Sequence, residues 1–538
     1  MQVFILISIC GYITGMFNPI MEIDAMQYAS MSRELLRGDN LLHFFDNGQP
    51  YLDKPPLIFW ITSLFFKIFG TSDFIYRLPS VLFSVLTIYS VYRFAILFYS
   101  KQTALTAAVI LSSCEAFFIM NSDVRTDMYM IAPMMLAFWQ ISFYLKSGKL
   151  YSLLVGSIAI GFSMMGKGPL GIIILLSVFG FEMAVKRRLS NIIDINILLG
   201  IVVIILCLFP MSYGLYTQFG SKGIQFFYWT QSFGRITGDS SWTNQTGPFY
   251  LFNVFLYAFL PWTFLFLWAF YKKTKGLIFR KTLFLDNELI SYFGFLLSMV
   301  MLSLSNYKLP HYIYCAIPFA AIITAKGIED LMQKKRLYIC FYIIQFIIGI
   351  LLVSFVFGIS FYAFPFRNYY LLFPIFIFLF LVSYFHIRTH DEFIKFFIPS
   401  ISAVIIANYW LNLFFMNHLL AYQAPSEAAN FLKKNNYDFI QLYLYKESEK
   451  AKSRSFNYYF DREIIYIDGE FPVRKTENNI IVYTGQKGYD ILMNLNPRPK
   501  LLSDFSHFRV SKINNKFLDK KRRLSVLKKK YLLMFTPT

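Results

Sequence analysis

Charge is what this 538-residue chain has least of. Asp, Glu, Lys and Arg make up 15% of it, against about 25% in a soluble domain. Mean hydropathy is +0.49, which excludes an ordinary water-soluble globule. Cysteine is scarce too: Cys10, Cys114, Cys207, Cys315 and Cys340 lie in or beside apolar segments, an odd count without CxxC or zinc spacing. That excludes a disulfide framework and a zinc module and leaves small buried hydrophobes. No Lys or Arg precedes the first apolar run and no small-x-small cleavage site follows it. A first transmembrane helix is therefore expected there rather than a signal peptide. A GxxxxGK[ST] loop is absent, which excludes a P-loop nucleotide site. No recognition module accompanies the net charge of +20, so nucleic acid is a poor partner.

What is present is apolar and aromatic: 56% hydrophobic residues, with 62 Phe and 37 Tyr. Such residues suit lipid-facing surfaces and interfacial belts. Apolar stretches of span length recur from 3–20 to 396–416, among them 103–120, 248–271 and 311–328. They predict an all-α polytopic membrane bundle of about thirteen transmembrane helices. Residues 1–419 form this part. Residues 420–538 change periodicity and predict a small α/β domain, with a capped helix in "PSEAANFLKKNN" and strands in "FIQLYLYK", "REIIYID" and "NIIVYTG". The tail "KINNKFLDKKRRLSVLKKKY" is strongly basic. It reads either as a face for anionic headgroups or as a solvated surface.

Lys and Arg fix the orientation. With the N-terminus inside, inner loops hold Lys101, Lys146, Lys149, Lys186 to Arg188, Lys272 to Lys281 and Lys326 to Arg336. The short outer loops hold one or two cations each. The loop 21–76 then lies outside, with "AMQYASMSRELL" and "PPLIFWITSLFFKIFG" as interfacial helices. The aromatic, glycine-rich loop 216–247 lies there as well and has the character of a lid or binding loop.

The polar chemistry gathers on that outer face. Asp24 with Gln27 fits a helix capping box, but acids beside a bilayer also mark sites. Both readings stand for Asp24 and for Glu22. In "NSDVRTDMYM", Asp123 and Asp127 are four apart and would share a helix face, unless they form a loop ion pair with Arg125. Lys54 precedes two prolines that would fix its direction toward a lipid phosphate. Lys167 in "MMGKGPLG" and Lys308 in "SNYKLPHYIY" run against the inside-positive trend. Arg77 and Arg235 complete the cations assigned to a donor phosphate. Tyr28, Tyr307 and His311 complete a substrate loop. His311 could carry a proton or ligate a metal, although no nearby His gives ligand spacing.

The stretches "MEIDAMQYASMSRELL", "YLDKPPLIFWITSLFFKIFG", "YRLPS", "NSDVRTDMYM", "MGKGPLG", "GPFYLFNVFLYAFLPW" and "NYKLPHYIYCAIPFAA" come in one order over residues 20 to about 325. Together they resemble the polytopic glycosyltransferases of the aminoarabinose (lipid A) transferase and protein O-mannosyltransferase superfamily, whose architecture is called GT-C. "SFNYYFDREI" is a weaker match in the outer domain. The resemblance implies transfer of a sugar from polyprenyl phosphate, on the outer face of a bacterial inner membrane, to lipid A, another glycolipid or a protein. It implies Asp24 as the catalytic carboxylate, Asp127 as the second acid and Lys54 as a donor-phosphate ligand. Relatives often carry Glu before that lysine and a histidine before the eighth span, which together can hold a metal. Here Asp53 and Gln245 stand there. No cofactor is therefore certain and a divalent metal stays open. A flippase for lipid-linked saccharides is the alternative. It would show inverted repeats and midplane charges, whereas these charges cluster at one face and no clear repeat is visible.

Overall fold

The computed structural model describes the chain apart from residues 187–194, 232–233, 235–243, 245, 280–287, 367–372, 447–453, 461–463, 472–477 and 537–538. Its first half runs α1 (Gln2–Gly15), α2 (Asp24–Arg37), a small hairpin of β1 (Phe45–Asp46) and β2 (Gln49–Pro50), α3 (Leu57–Phe69), α4 (Asp73–Ala95), α5 (Lys101–Ser113), α6 (Glu115–Ser122), α7 (Thr126–Ser147), α8 (Leu150–Lys167), α9 (Leu170–Val185) and α10 (Asn196–Phe219). Helix starts follow the residues able to satisfy free N–H groups. Ser72 accepts from the Ile75 amide at 3.2 Å and starts α4, and Ser100 accepts from Thr103 at 3.1 Å and starts α5. α2 is amphipathic and stops at Gly38, as its sequence predicts.

α3 has 13 residues, about 20 Å at 1.5 Å per residue, and is too short to cross a bilayer core of about 30 Å. Among the described residues six helices are long and apolar enough to span, or seven if α5 and α6 count as one bent span. Five further apolar helices are shorter. The chain is thus a multi-pass helical membrane protein, and the described residues do not confirm the count of about thirteen spans. The differences have local causes. The stretch 103–120 bends by 50° between α5 and α6. The stretch 248–271 is split into Tyr250–Ala258 and Thr263–Phe279, around Pro261, which has no N–H to continue the ladder. The stretch 311–328 begins as the 3-10 turn Pro310–Cys315 before the helix Ile317–Met332.

The C-terminal region packs helices on a five-stranded sheet of order β4-β3-β5-β7-β6. The strands are β3 (Gln441–Tyr445), β4 (Ile465–Ile467), β5 (Ile480–Gly485), β6 (Lys500–His507) and β7 (Lys528–Phe535). β3, β4 and β5 are parallel, while β7 runs antiparallel between β5 and β6. β6 and β7 escape the sequence pattern. The basic run ending in "KKKY" was expected to be tail, yet it enters an interior strand. Lys528 and Lys529 stay exposed at its start, while Leu532, Leu533 and Phe535 are buried.

The C-terminal domain is fastened to the loop 21–76 by the short helix Arg454–Tyr459, the segment matched as "SFNYYFDREI". Arg454 donates to both Asp46 oxygens, at 3.2 and 2.8 Å. Arg33 donates to the Tyr458 carbonyl and Arg37 to that of Phe460, the latter at 3.0 Å. Tyr459 donates to Asp73 at 3.1 Å.

Arg77 ties the helix ends together. Its buried guanidinium donates to the carbonyls of Met16 (3.3 Å), Asn18 (2.5 Å) and Pro19 (2.8 Å) beyond α1, of Ser122 (3.0 Å) at the end of α6, and of Asp73 (3.3 Å). Carbonyls at buried helix ends lack intrahelical partners, and one rigid fork of donors satisfies several at once. We expect Arg77→Met to cost about 3 kcal/mol or more. Thermal unfolding of the detergent-solubilised protein checks this. A melting temperature equal to that of the wild type would refute it.

Candidate active site

A cavity of about 380 Å³ opens among the start of α2, the turn 53–55, the start of α7, the end of α8 and residues 301–312. Two ion-paired clusters line it. In the first, Asp24 begins α2, and its carboxylate is held by Arg125, the residue preceding α7. Arg125 also grips Asp123, through Nη2 at 2.6 Å and Nε at 2.8 Å. Burial opposes the Arg125 charge, but Asp123 and Asp24 outweigh it and hold its pKa above the ordinary arginine value. Burial pushes the Asp123 carboxyl upward against the pull of Arg125.

The capping box does not form. Asp24 sits inside the first turn, and Gln27 donates instead to Asp46 at 2.8 Å. Asp123 and Asp127 do not share a helix face either. Asp123 ends α6 and Asp127 opens α7, because the chain turns between them. The loop pairing with Arg125 is realised for Asp123, and Asp24 joins it from a distant part of the sequence.

In the second cluster Asp127 pairs with Lys167, at the last residue of α8. His311 Nε2 lies 3.8 Å from its other oxygen, and the Tyr312 ring sits 4.4 Å from the Lys167 ammonium. A glycine makes this meeting possible. A Cβ on Gly166 would lie 2.6 Å from the Tyr129 backbone carbon and oxygen, so only glycine lets α8 close on the first turn of α7. Gly168, at φ +73°, then turns the chain away.

The two clusters differ in access. The Asp24 side chain is 45% exposed, whereas that of Asp127 is 2% exposed. Lys54 also lines the cavity, with its ammonium 2.6 Å from Asp53, and Gln231 donates to the Asp53 carbonyl. Tyr28, Tyr307 and His311 line it too.

Three expected site residues among the described ones do not line the cavity. Arg77 is engaged by carbonyls as described and lines no part of the cavity. Lys308 is buried beside it, donating to the Thr246 carbonyl at 3.3 Å. Glu22 turns the other way. Its amide donates to Gln423 at 2.6 Å, and its carboxylate accepts from Ser455 at 2.8 Å. Arg235 lies outside the described residues, as does Gln245. Tyr312 and Gln231 were missed by the sequence reading. Tyr312 could have been found from its place beside His311, whereas Gln231 carries no local signal. Among the described residues no three His, Cys, Asp or Glu side chains come together to hold a metal. Asp53 has the Lys54 ammonium 2.6 Å away.

Residues 53–213 match the family described as dolichyl-phosphate-mannose-protein mannosyltransferase. The undecaprenyl phosphate-alpha-4-amino-4-deoxy-L-arabinose arabinosyl transferase of Serratia proteamaculans is 28% identical over 58% of this chain and 56% of its own. That of Pseudomonas savastanoi pv. phaseolicola is 27% identical over 58% of both. The crystal structure of ArnT from Cupriavidus metallidurans bound to undecaprenyl phosphate superposes with a TM-score of 0.74 at 15% identity, covering 99% of this chain and 97% of that one. The chain is thus similar, over part of its length, to aminoarabinose transferases and protein O-mannosyltransferases. The chain also matches an uncharacterized protein of Aquifex aeolicus at 27% identity over 59% of its length and 62% of the relative. It spans about three fifths of the length of these curated relatives. Its likeness to the ArnT structure is one of fold.

Two outcomes follow from this geometry. Gly166→Ala should force α8 from α7, part Lys167 from Asp127 and lower the melting temperature, by overpacking worth about 1–3 kcal/mol. Unchanged thermal unfolding would contradict the close approach. Burial raises the Glu22 pKa, with Ser455 opposing. The folded state therefore keeps this proton at a pH where the unfolded chain has lost it. Stability from Glu22 is present below its ordinary range and declines as pH rises through the raised value. Glu22→Gln should flatten that decline in a pH series of melting temperatures, and an unaltered slope would rule it out.

Proposed function

We propose that this protein transfers a sugar from a polyprenyl-phosphate donor to lipid A, another glycolipid or a protein, at the outer face of the inner membrane. The carrying observation is one cavity that combines an accessible carboxylate, Asp24, with lysine ammonium groups at Lys54 and Lys167. The named relatives and the ArnT fold support the donor class.

The chemistry asks for little more. A phosphate leaving group departs as an anion, so it needs nearby cations and no proton donor. The acceptor oxygen bonds to the anomeric carbon while the bond from that carbon to phosphate oxygen breaks and leaves its electron pair there. A hydroxyl acceptor must also lose a proton, and Asp24 is the carboxylate exposed enough to take it. Arg125 fixes where that carboxylate points. Asp127, buried and paired, orients Lys167. A phosphate acceptor already carries charge and needs mainly alignment.

The outer location rests on charge. α7 begins at the cavity with Asp127 and ends with Lys146, and Lys101 and Lys149 lie at helix starts of that opposite end. Basic loops stay inside, which supports a cavity on the outer side. Nucleotide sugars are not normally available there, so a lipid-borne donor fits.

In single-turnover assays with a polyprenyl-linked sugar, Asp24→Asn should slow transfer to a hydroxyl about 10²–10⁴-fold while melting like the wild type. Full turnover by this variant would remove Asp24 from the reaction.

A further inference from the structure

The basic segment 509–524 is not a loose tail. Its inner side is built into the ends of two spans. Arg523 is buried and donates to the Ala363 carbonyl, the last residue of the helix Lys335–Ala363, to the Phe517 carbonyl at 2.8 Å and to the Tyr422 hydroxyl at 3.0 Å. Its guanidinium lies 4.7 Å from the Phe364 ring and 5.0 Å from the Phe517 ring. Phe508, Val510 and Phe517 pack with Phe415, Leu419 and Leu420, the closing turns of the span Glu392–Leu420. The Phe508 amide donates to the Tyr422 carbonyl at 2.9 Å. The two spans run in the same direction, so both end at one membrane face, and this segment sits where they emerge.

Its outer side is cationic. Arg509, Lys512, Lys516, Lys520, Lys521 and Arg522 are all exposed, and Asp519 is the one acid in the segment. Between these cations Leu524 is 80% exposed and Ile513 is 41% exposed. Basic groups around apolar tips, anchored at the ends of two spans, form a surface complementary to anionic lipid. Solvation alone explains the lysines but gives no reason for an exposed leucine on an anchored loop.

We propose that residues 509–524 dock onto the anionic phospholipid headgroups of the bilayer the protein spans, with Leu524 entering the interface. This holds the C-terminal domain down beside the cavity from its second side, opposite in role to the Arg454–Asp46 fastening.

The test uses the full chain with the exposed Cys10 and Cys340 replaced by alanine and a polarity-sensitive fluorophore on Leu524→Cys. Nanodiscs of phosphatidylcholine alone are compared with discs of equal phosphatidylcholine and phosphatidylglycerol. The expected result is a blue-shifted emission and about threefold weaker acrylamide quenching in the anionic discs. High salt should abolish both, as should combined Lys512→Gln, Lys516→Gln, Lys520→Gln and Lys521→Gln substitution. Equal quenching in the two discs overturns the proposal, and this arm needs no charge variant to fold. A difference that survives both salt and neutralisation overturns it as well.

Discussion

The active-site geometry hangs on one buried guanidinium. Arg77 collects the carbonyls of Asn18 and Pro19, in the segment that leads to Asp24, and of Ser122, the residue just before Asp123. These two chain segments also meet through the Tyr12 and Phe118 rings, 4.9 Å apart. Each is a helix end with unsatisfied acceptors, and inside a membrane protein water cannot be counted on to supply donors. Arg77 supplies them from α4. Asp24 can then reach Arg125 although they are far apart in sequence. A residue that looks like a phosphate ligand is thus the one that lets the carboxylate side of the site exist.

The second cluster depends on a missing side chain. Gly166 allows backbone contact between α7 and α8, so an acid and an ammonium meet where neither is fully solvated. Removing two charges from water is costly unless they satisfy one another. That cost explains why Asp127 and Lys167 are paired while Asp24 remains partly open. The cavity thereby holds one enclosed ion pair and one carboxylate that is paired with Arg125 yet partly open.

The C-terminal domain reaches back to the same machinery. Gln423 touches both the Ile20 carbonyl and the Glu22 amide, and Ser455 takes the Glu22 carboxylate. Asp24 therefore starts its helix from a segment held on one side by Arg77 and on the other by the soluble domain. Glu22 belongs to this seam rather than to the cavity. Its acidity beside a membrane gave it the look of a catalytic group, and only its direction distinguishes the two roles.

Composition and apolar run length determined by themselves that this is a helical membrane protein, because the bilayer admits few other solutions. The ordered set of short motifs carried the resemblance to the glycosyltransferases that the chain also matches in part. The gathering of Asp24, Lys54, Asp127, Lys167 and His311 around one cavity was also legible, since loop charge put them all at one membrane face. Partnerships were not. Arg77 and Lys54 are equally plausible phosphate ligands in one dimension, yet one meets carbonyls and the other the cavity. Asp123 and Asp127 look like one helix face until the chain turns between them. The strand β7 looks like a basic tail, because its lysines are local while its neighbours in the sheet come from far along the chain. Sequence reports what each residue can offer. Which offer is taken up depends on contacts between distant segments, and those only the tertiary structure decided.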